Sequence, residues 1–539
     1  MVDEILTKEI NMKPFTELDL GFGDAENYNR AENKNQFNQL FVRNRYLDNL
    51  YRYSTYFLIG EKGTGKTAYA VYLANNDQRD TIADIKFIRE TDYDKFIALK
   101  NSNNLVLSDY VSVWKVIILM LISASIRESE ISNNVFSKRT KFNKVKEALS
   151  KYYNNAFSPE IMNTFTLLEN SEIAVKLFSR VAELSAKDQQ TQSVCSQGFQ
   201  TNLFYIQKQF EDALGELRMS KNHVLFIDGI DIRPGSILYK DYLTCIKGLA
   251  NAIWSLNNDF FPKIKDTQGR IRIVLLIRPD ILNSLDLQNL TTKIRDNSVF
   301  LDWRTTYPAY RDSLLFELAD RLLAYPQGEA LAKGKAWDYY HPWATYTTSQ
   351  DREHDDSFIN FLKISYSRPR DVITCLQMLQ ELKKQKNDNT IVSLSDFRDD
   401  LFLNNYSEYL MGGIKDQLAF YYSSEDFAMF LHFFQCLCGK SEFSYDEYLS
   451  AYNEFTDYFL THHTEVPEFT EEPERFLQFL YDTNVLCYID RSENGEPFFR
   501  WCYRDRSVSN FFPKVKLRVR YRIHYGLHKS LKVGAKLVK

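Results

Sequence analysis

Gly60-Glu61-Lys62-Gly63-Thr64-Gly65-Lys66-Thr67 sets three glycines, a lysine and a hydroxyl at a spacing suited to holding phosphate. Glycines let the backbone curl until successive N–H groups point inward at anionic oxygens. Lys66 would reach the β- and γ-phosphates of a nucleotide, and the Thr67 hydroxyl would coordinate Mg2+. The expected phosphate contacts are Gly60, Gly63, Thr64, Gly65, Lys66, Thr67 and Ala68. The alternative is a glycine turn followed by Lys-Thr through chance. The frame argues against it, because the apolar run Tyr56–Ile59 precedes the loop and the helix-compatible run Ala68–Leu73 follows it. Strand, glycine loop and helix are the context such a loop needs. Only 19 of the 539 residues are glycine, so this cluster stands out.

Holding phosphate is not hydrolysis, which also needs a carboxylate for the metal and a group that orients water. Val224-Leu225-Phe226-Ile227-Asp228 is an apolar strand that ends in an acid. Ligands sit at the carboxyl edge of open α/β sheets, so Asp228 would hold Mg2+, through water. Otherwise it only begins a turn. Asp231 is the candidate for polarising the attacking water, against a plain turn role in Asp-Gly-Ile-Asp. Arg278 ends the next strand; it either reaches the γ-phosphate or is a surface arginine before Pro279. Arg295 lies just before the strand ending in Trp303. An arginine there reaches a neighbouring subunit's site in ring-forming ATPases; the preferred reading is an ordinary helix C-terminal cation. Ser367-Arg368-Pro369-Arg370-Asp371 opens a helix. A cation in a first turn opposes the helix dipole unless an anion compensates it. Arg370 is therefore read as a lid arginine sensing the γ-phosphate, with Arg368 in reserve. The alternative for Arg370 is pairing with Asp371 or a nearby Glu.

These residues need a sheet to present them. Residues 56–59, 85–88, 224–227, 271–277 and 299–303 read as strands, with helices after the loop and around Trp114–Ile122, Tyr242–Leu256 and Ile281–Ile294. The alternation predicts an α/β fold, a P-loop NTPase with a mostly parallel sheet. The runs at 224 and 273 are nearly all apolar, as central parallel strands are. A helical insertion spans about 128–220, with apolar spacing at Lys144–Tyr153 and Ile173–Leu184. Four parts follow: a leader over 1–55 packing on the nucleotide core, a core over 56–325, a helical lid over 326–390, and a C-terminal α+β domain over 391–539. Within the lid, 326–355 reads as a loop and Lys383–Asn389 as a linker. The C-terminal part reads as mostly helical. Its end has a helix at Pro473–Tyr481, then a hairpin of Val485–Ile489 and Phe498–Trp501 around Asn494-Gly495, which gives a winged-helix-like finish.

From Lys514 to Lys539 there are nine Lys or Arg and no acid. Lys514, Lys516, Arg518, Arg520 and Arg522 alternate with Val515, Leu517, Val519 and Tyr521. Period two predicts a strand with cations on one face. It would track a nucleic-acid backbone, or be an edge strand made basic against aggregation. The net charge of −4 argues against an extended nucleic-acid surface. Seven cysteines form no CxxC pair, which suggests a reducing compartment. Val116–Ile122 is too short to span a bilayer, and Met1–Ile5 opens no signal peptide. The expectation is a cytoplasmic protein with no membrane partner.

Together the site residues resemble the additional-strand ATPases, a group that includes the signal-transducing and origin-recognition branches, over roughly residues 56–380. The Asp-Gly-Ile-Asp box departs from the Asp-Glu pair of ring ATPases and leans towards a switch. More closely, Leu18–Tyr28, Gly60–Tyr69 and Arg520–Leu527 resemble the bacterial and prophage FunZ-type P-loop ATPases, nearly end to end. That resemblance implies an ATP- and Mg2+-dependent hydrolase acting as a regulatory switch in phage exclusion. A protein or phage-derived trigger and homo-oligomerisation would go with it, and the leader would fold over the nucleotide. The rival is a nucleic-acid-remodelling ATPase gripping DNA or RNA through its C-terminal module. A third reading is a module that holds nucleotide without turnover.

Overall fold

Unbroken apolar runs build the strands that carry the loop. The computed structural model describes residues 12–88, 107–132, 135–152, 191–235, 237–328, 330–343, 356–389, 391–462 and 468–534. The chain divides into two compact units. One holds Asn44–Glu61 and Lys66–Leu301. Its sheet comprises β1 (Phe57–Ile59), β2 (Thr81–Phe87), β3 (Asn222–Asp228), β4 (Ile271–Ile277) and β5 (Ser298–Phe300), all parallel, in the order β2-β3-β4-β1-β5. β4 thus intervenes between the strand leading to the loop and the strand ending in Asp228. β1 and β4 are buried along their whole length, which accounts for their lack of polar alternation. The helices Lys66–Asn75, Leu107–Ser125 and Tyr239–Ser255 belong to this unit. The Trp114 indole, wholly buried, donates to the Cys245 carbonyl at 3.1 Å.

All five expected strands form, although β2 starts earlier and β5 stops at Phe300. The single helix expected at Ile281–Ile294 is two, Pro279–Ser284 and Leu290–Asn297, because Asp286 and Asn289 take left-handed backbone with φ of 45° and 55°. The insertion supplies helices Val135–Tyr152 and Thr191–Gly215. An Ile131–Met219 bridge and the Ser220 N–H on the Glu130 carbonyl (2.8 Å) close its base. The helix expected at Ile173–Leu184 lies outside the described residues.

The other unit gathers the described residues up to Arg43, Lys62–Gly65, and those from Asp302 onward. The boundaries read from sequence at 325/326 and 390/391 fall inside it. Helices Leu314–Ala324, Ser357–Ile364 and Pro369–Gln385 form close to expectation. The loop expected over 326–355 contains a helix, Lys335–Tyr340, started by a side chain from elsewhere: the Asp320 carboxylate accepts the Gly334 and Trp337 N–H groups at 2.7 and 2.9 Å. The linker expected at Lys383–Asn389 is no linker. Lys383 is buried and pairs with Asp388 and Asp396, which ties the helix end to the next helix, Leu394–Phe397. The leader lies along the 369–385 helix: Gln380 donates to the Phe15 and Leu18 carbonyls (2.9 and 2.8 Å), and Gln377 to Gly21 (2.8 Å).

Towards the C-terminus the order is helix Ser424–Cys436, β6 (Glu442–Ser444), helices Tyr445–His462 and Pro473–Asp482, then β7 (Leu486–Arg491), β8 (Pro497–Arg500) and β9 (Arg520–Ile523). The sheet is antiparallel, ordered β6-β9-β7-β8. The β7–β8 hairpin forms, with Gly495 at φ 80° in its turn. The basic tail departs from expectation. Only Arg520–Ile523 is a strand, because Arg518 takes left-handed backbone (φ 58°) and breaks the alternation. β9 is an inner strand, so its cations do not guard an edge.

Candidate phosphate-binding site

The loop leaves β1 at a point anchored on both sides: Leu301 N–H donates to the Ile59 carbonyl (2.8 Å), and Gly60 N–H to the Ile277 carbonyl (3.2 Å). Gly63 and Gly65 then take φ of 87° and 90°, backbone that side-chain-bearing residues avoid. Three successive carbonyls of the 62–65 segment each accept a hydrogen bond within their unit. Arg368 donates to Lys62 (3.0 Å), the Arg370 N–H to Gly63 (3.3 Å) and the Trp303 indole to Thr64 (2.9 Å). In a trans peptide a carbonyl and the next N–H point opposite ways. The N–H groups of Gly63, Thr64 and Gly65 therefore turn away from those donors. Drawn together, such N–H groups would hold an anion.

In the parallel-sheet unit, Lys66 opens the helix and is buried. Its ammonium donates to the Gly60 and Glu61 carbonyls at 2.9 and 3.3 Å. Burial pulls its pKa down; the Asp231 and Asp228 carboxylates oppose this, and the Arg278 charge adds to it. The Thr67 hydroxyl donates to Asp228 at 2.6 Å, and the Gly229 N–H holds the second carboxylate oxygen at 2.8 Å. Burial raises the Asp228 pKa, against the Thr67 hydrogen bond. Gly229 sits at φ 92°, where an added Cβ would collide with the Ile88 carbonyl. The turn after β3 therefore requires glycine.

Lys66, Thr67, Asp228 and Asp231 thus come together, and Arg278 joins them from the end of β4. Arg278 is 1% exposed and not a surface residue; Asp280 holds it in a two-pronged ion pair at 3.0 and 2.6 Å. Thr64 is buried and Ala68 half-buried on the helix. Arg295 stands apart on the last turn of the 290–297 helix, exposed and paired with Asp296 at 3.0 Å. Arg370 lies in the first turn of the 369–385 helix, with its Nε donating to the Gly23 carbonyl at 3.2 Å. The Asp371 pairing weighed for Arg370 belongs to Arg368, at 2.8 Å. Burial works against the Arg368 charge, but Asp371, with Tyr409 and Tyr366, outweighs it, so its pKa is raised. Sequence reasoning missed Trp303 as a loop-positioning residue. A buried indole N–H needs an acceptor, but nothing local names which.

The fold and site define a parallel α/β domain with a glycine loop, a buried lysine and an acid one strand beyond its neighbour. No protein-family model matches the chain, and no curated protein matches it. Among solved structures it is similar to two variants of RuvB from Thermotoga maritima, each 14% identical, covering 68% of this chain and 95% of that one, with a TM-score of 0.24. A likeness so faint carries no weight for function, which rests on the geometry.

Proposed function

We propose that the chain binds ATP in the Gly60–Thr67 loop and hydrolyses it, acting as a nucleotide-dependent switch. One observation carries this reading: the buried Lys66 ammonium opens the helix beside a Thr67 hydroxyl bonded to Asp228 at 2.6 Å. The order β2-β3-β4-β1-β5, with β4 between the loop strand and the acid strand, supports the resemblance to additional-strand ATPases. A hydroxyl and a carboxylate are hard oxygen donors, and their closeness suits Mg2+, which keeps several waters. Bound there, the metal would neutralise charge on the β- and γ-phosphate oxygens.

The protein's own groups take the remaining roles. The N–H groups of Gly63, Thr64 and Gly65 receive phosphate oxygens, and Lys66 balances their charge. Asp231 orients a water and takes its proton as the water adds to the γ-phosphorus. The bond to the β–γ bridging oxygen breaks, releasing ADP and phosphate. Buried Arg278 stabilises charge on the transferring group. Arg370, a cation in the first turn of its helix, is the proposed γ-phosphate sensor. Because Arg370 also holds the leader through Gly23, loss of the γ-phosphate would loosen that tie. The FunZ-type resemblance suggests phage exclusion as the setting.

Lys66→Ala should cost about 10²–10³-fold in kcat, the scale of one lost electrostatic donor, while circular dichroism stays unchanged. Phosphate release that matches the parent would overturn the reading. The same variant tests Arg295 across subunits. Mixed with Arg295→Ala chains it should recover turnover if that arginine serves a neighbour, and stable mixed oligomers without recovery remove the role.

A further inference from the structure

Antiparallel partners share a face of a sheet, so register divides the C-terminal sheet in two. Phe443 and Tyr521 pair on one face and are fully buried. On the other face a single rung crosses all four strands as Ser444, Arg520, Ile489 and Phe499. The neighbouring rungs place Glu442 beside Arg522, and Arg491 beside Pro497. This second face is the floor of a groove of about 1030 Å³, walled by Tyr445, Lys516 and Arg518 among others. That volume lies just above the ~300–1,000 Å³ of small-ligand pockets. It fits a few nucleotides of one strand rather than a duplex.

The groove's charge opposes that of the chain. Five cations (Arg491, Lys516, Arg518, Arg520 and Arg522) line it against Glu442, Asp446 and Asp490, in a protein of net charge −4. Glu442 is engaged by Arg520 (2.9 Å) and Arg522, and Asp490 by Lys516 (3.0 Å). Arg491 and Arg518 form no ion pair among the described residues, and both are exposed. Arg518 is set out of the strand line by its left-handed backbone (φ 58°), a conformation that persists only where surroundings enforce it. The Arg522 guanidinium lies over the Phe499 ring at 4.4 Å, a flat cationic surface on which a base can stack.

We propose that this sheet face binds single-stranded nucleic acid. Arg491, Lys516, Arg518 and Arg520 take the phosphates, and the Arg522–Phe499 pair and Tyr445 take the bases. An acidic peptide would use the charges but leave the ring faces idle. The inference stands on this sheet alone and does not depend on a nucleotide at the loop.

Fluorescence anisotropy with labelled oligo-dT and oligo-rU, against a duplex of equal length, tests it on the full chain. The expected result is preference for single strands and an affinity that falls with salt. Arg491→Glu with Arg518→Glu, both exposed, should weaken binding at least tenfold. The double variant should also flatten the salt slope by roughly 1.4, about 0.7 per lost phosphate contact on a single strand. Phe499→Leu should weaken binding while leaving the slope unchanged, a result that simple charge attraction would not give. Equal or tighter binding of duplex, displacement by poly-glutamate as effective as by oligo-dT, or unchanged affinity in the double variant would each overturn it.

Discussion

In the proposed mechanism, Asp231 separates holding a nucleotide from cleaving it. It lies close enough to Lys66 and Asp228 to act on both charges, yet it bonds neither the loop nor Thr67 in the way Asp228 does. Asp231→Asn should therefore lower kcat by about 10²–10⁴-fold, the range for a general base, while calorimetry registers ATP affinity near the parent's. Turnover equal to the parent's would return Asp231 to the turn. A second residue-scale expectation concerns His341, buried and stacked on Trp337 at 4.1 Å. Burial pushes its pKa down to about 3, from an ordinary 6.5. Between those values the unfolded chain takes a proton that the folded chain refuses. Stability is therefore lost as pH falls below 6.5, by up to about 1.4 kcal/mol per pH unit. His341→Phe removes that share, so its melting temperature should fall less than the parent's between about pH 7 and pH 5. Lys66, Thr67 and Asp228 were legible in sequence because a loop and an apolar strand are local patterns. The burial of Arg278 and the Trp303 bond were not, since both depend on partners distant along the chain.

Elements show the same division. β3 and β4 were plain because strands buried on both faces carry no polar alternation. The 335–340 helix was missed because its first N–H groups are satisfied by Asp320, not by a capping residue of its own. The basic tail misled because alternation was taken for strand, whereas one left-handed residue, Arg518, suffices to break it. The leader, expected to pack on the nucleotide core, divides: Phe15, Leu18, Gly21 and Gly23 accept from the 369–385 helix, while Asn44 donates to Tyr69 (2.6 Å) and Leu50 accepts from Arg272 within the parallel-sheet unit. Gln380, buried, serves two leader carbonyls with one amide group. Gln380→Ala leaves both acceptors without that donor. It should cost about 1–3 kcal/mol in urea unfolding and speed protease cleavage between residues 12 and 43. A leader cut no faster than in the parent would show that its apolar packing alone holds it.

Across the whole molecule the chain starts in one compact unit, leaves it at Asn44, returns briefly for Lys62–Gly65, and settles there from Asp302. Phe15 meets Gln380 only across 365 residues of sequence. The parallel sheet, by contrast, is complete once Phe300 has been made. At ribosomal speeds of roughly 5–20 residues per second, the leader waits on the order of tens of seconds for its helix. Throughout that interval Phe15, Leu18 and Leu20, all buried in the finished fold, lack the helix beside which they are buried. The nascent polypeptide thus carries a greasy stretch through much of its synthesis, open to whatever folding machinery attends the ribosome.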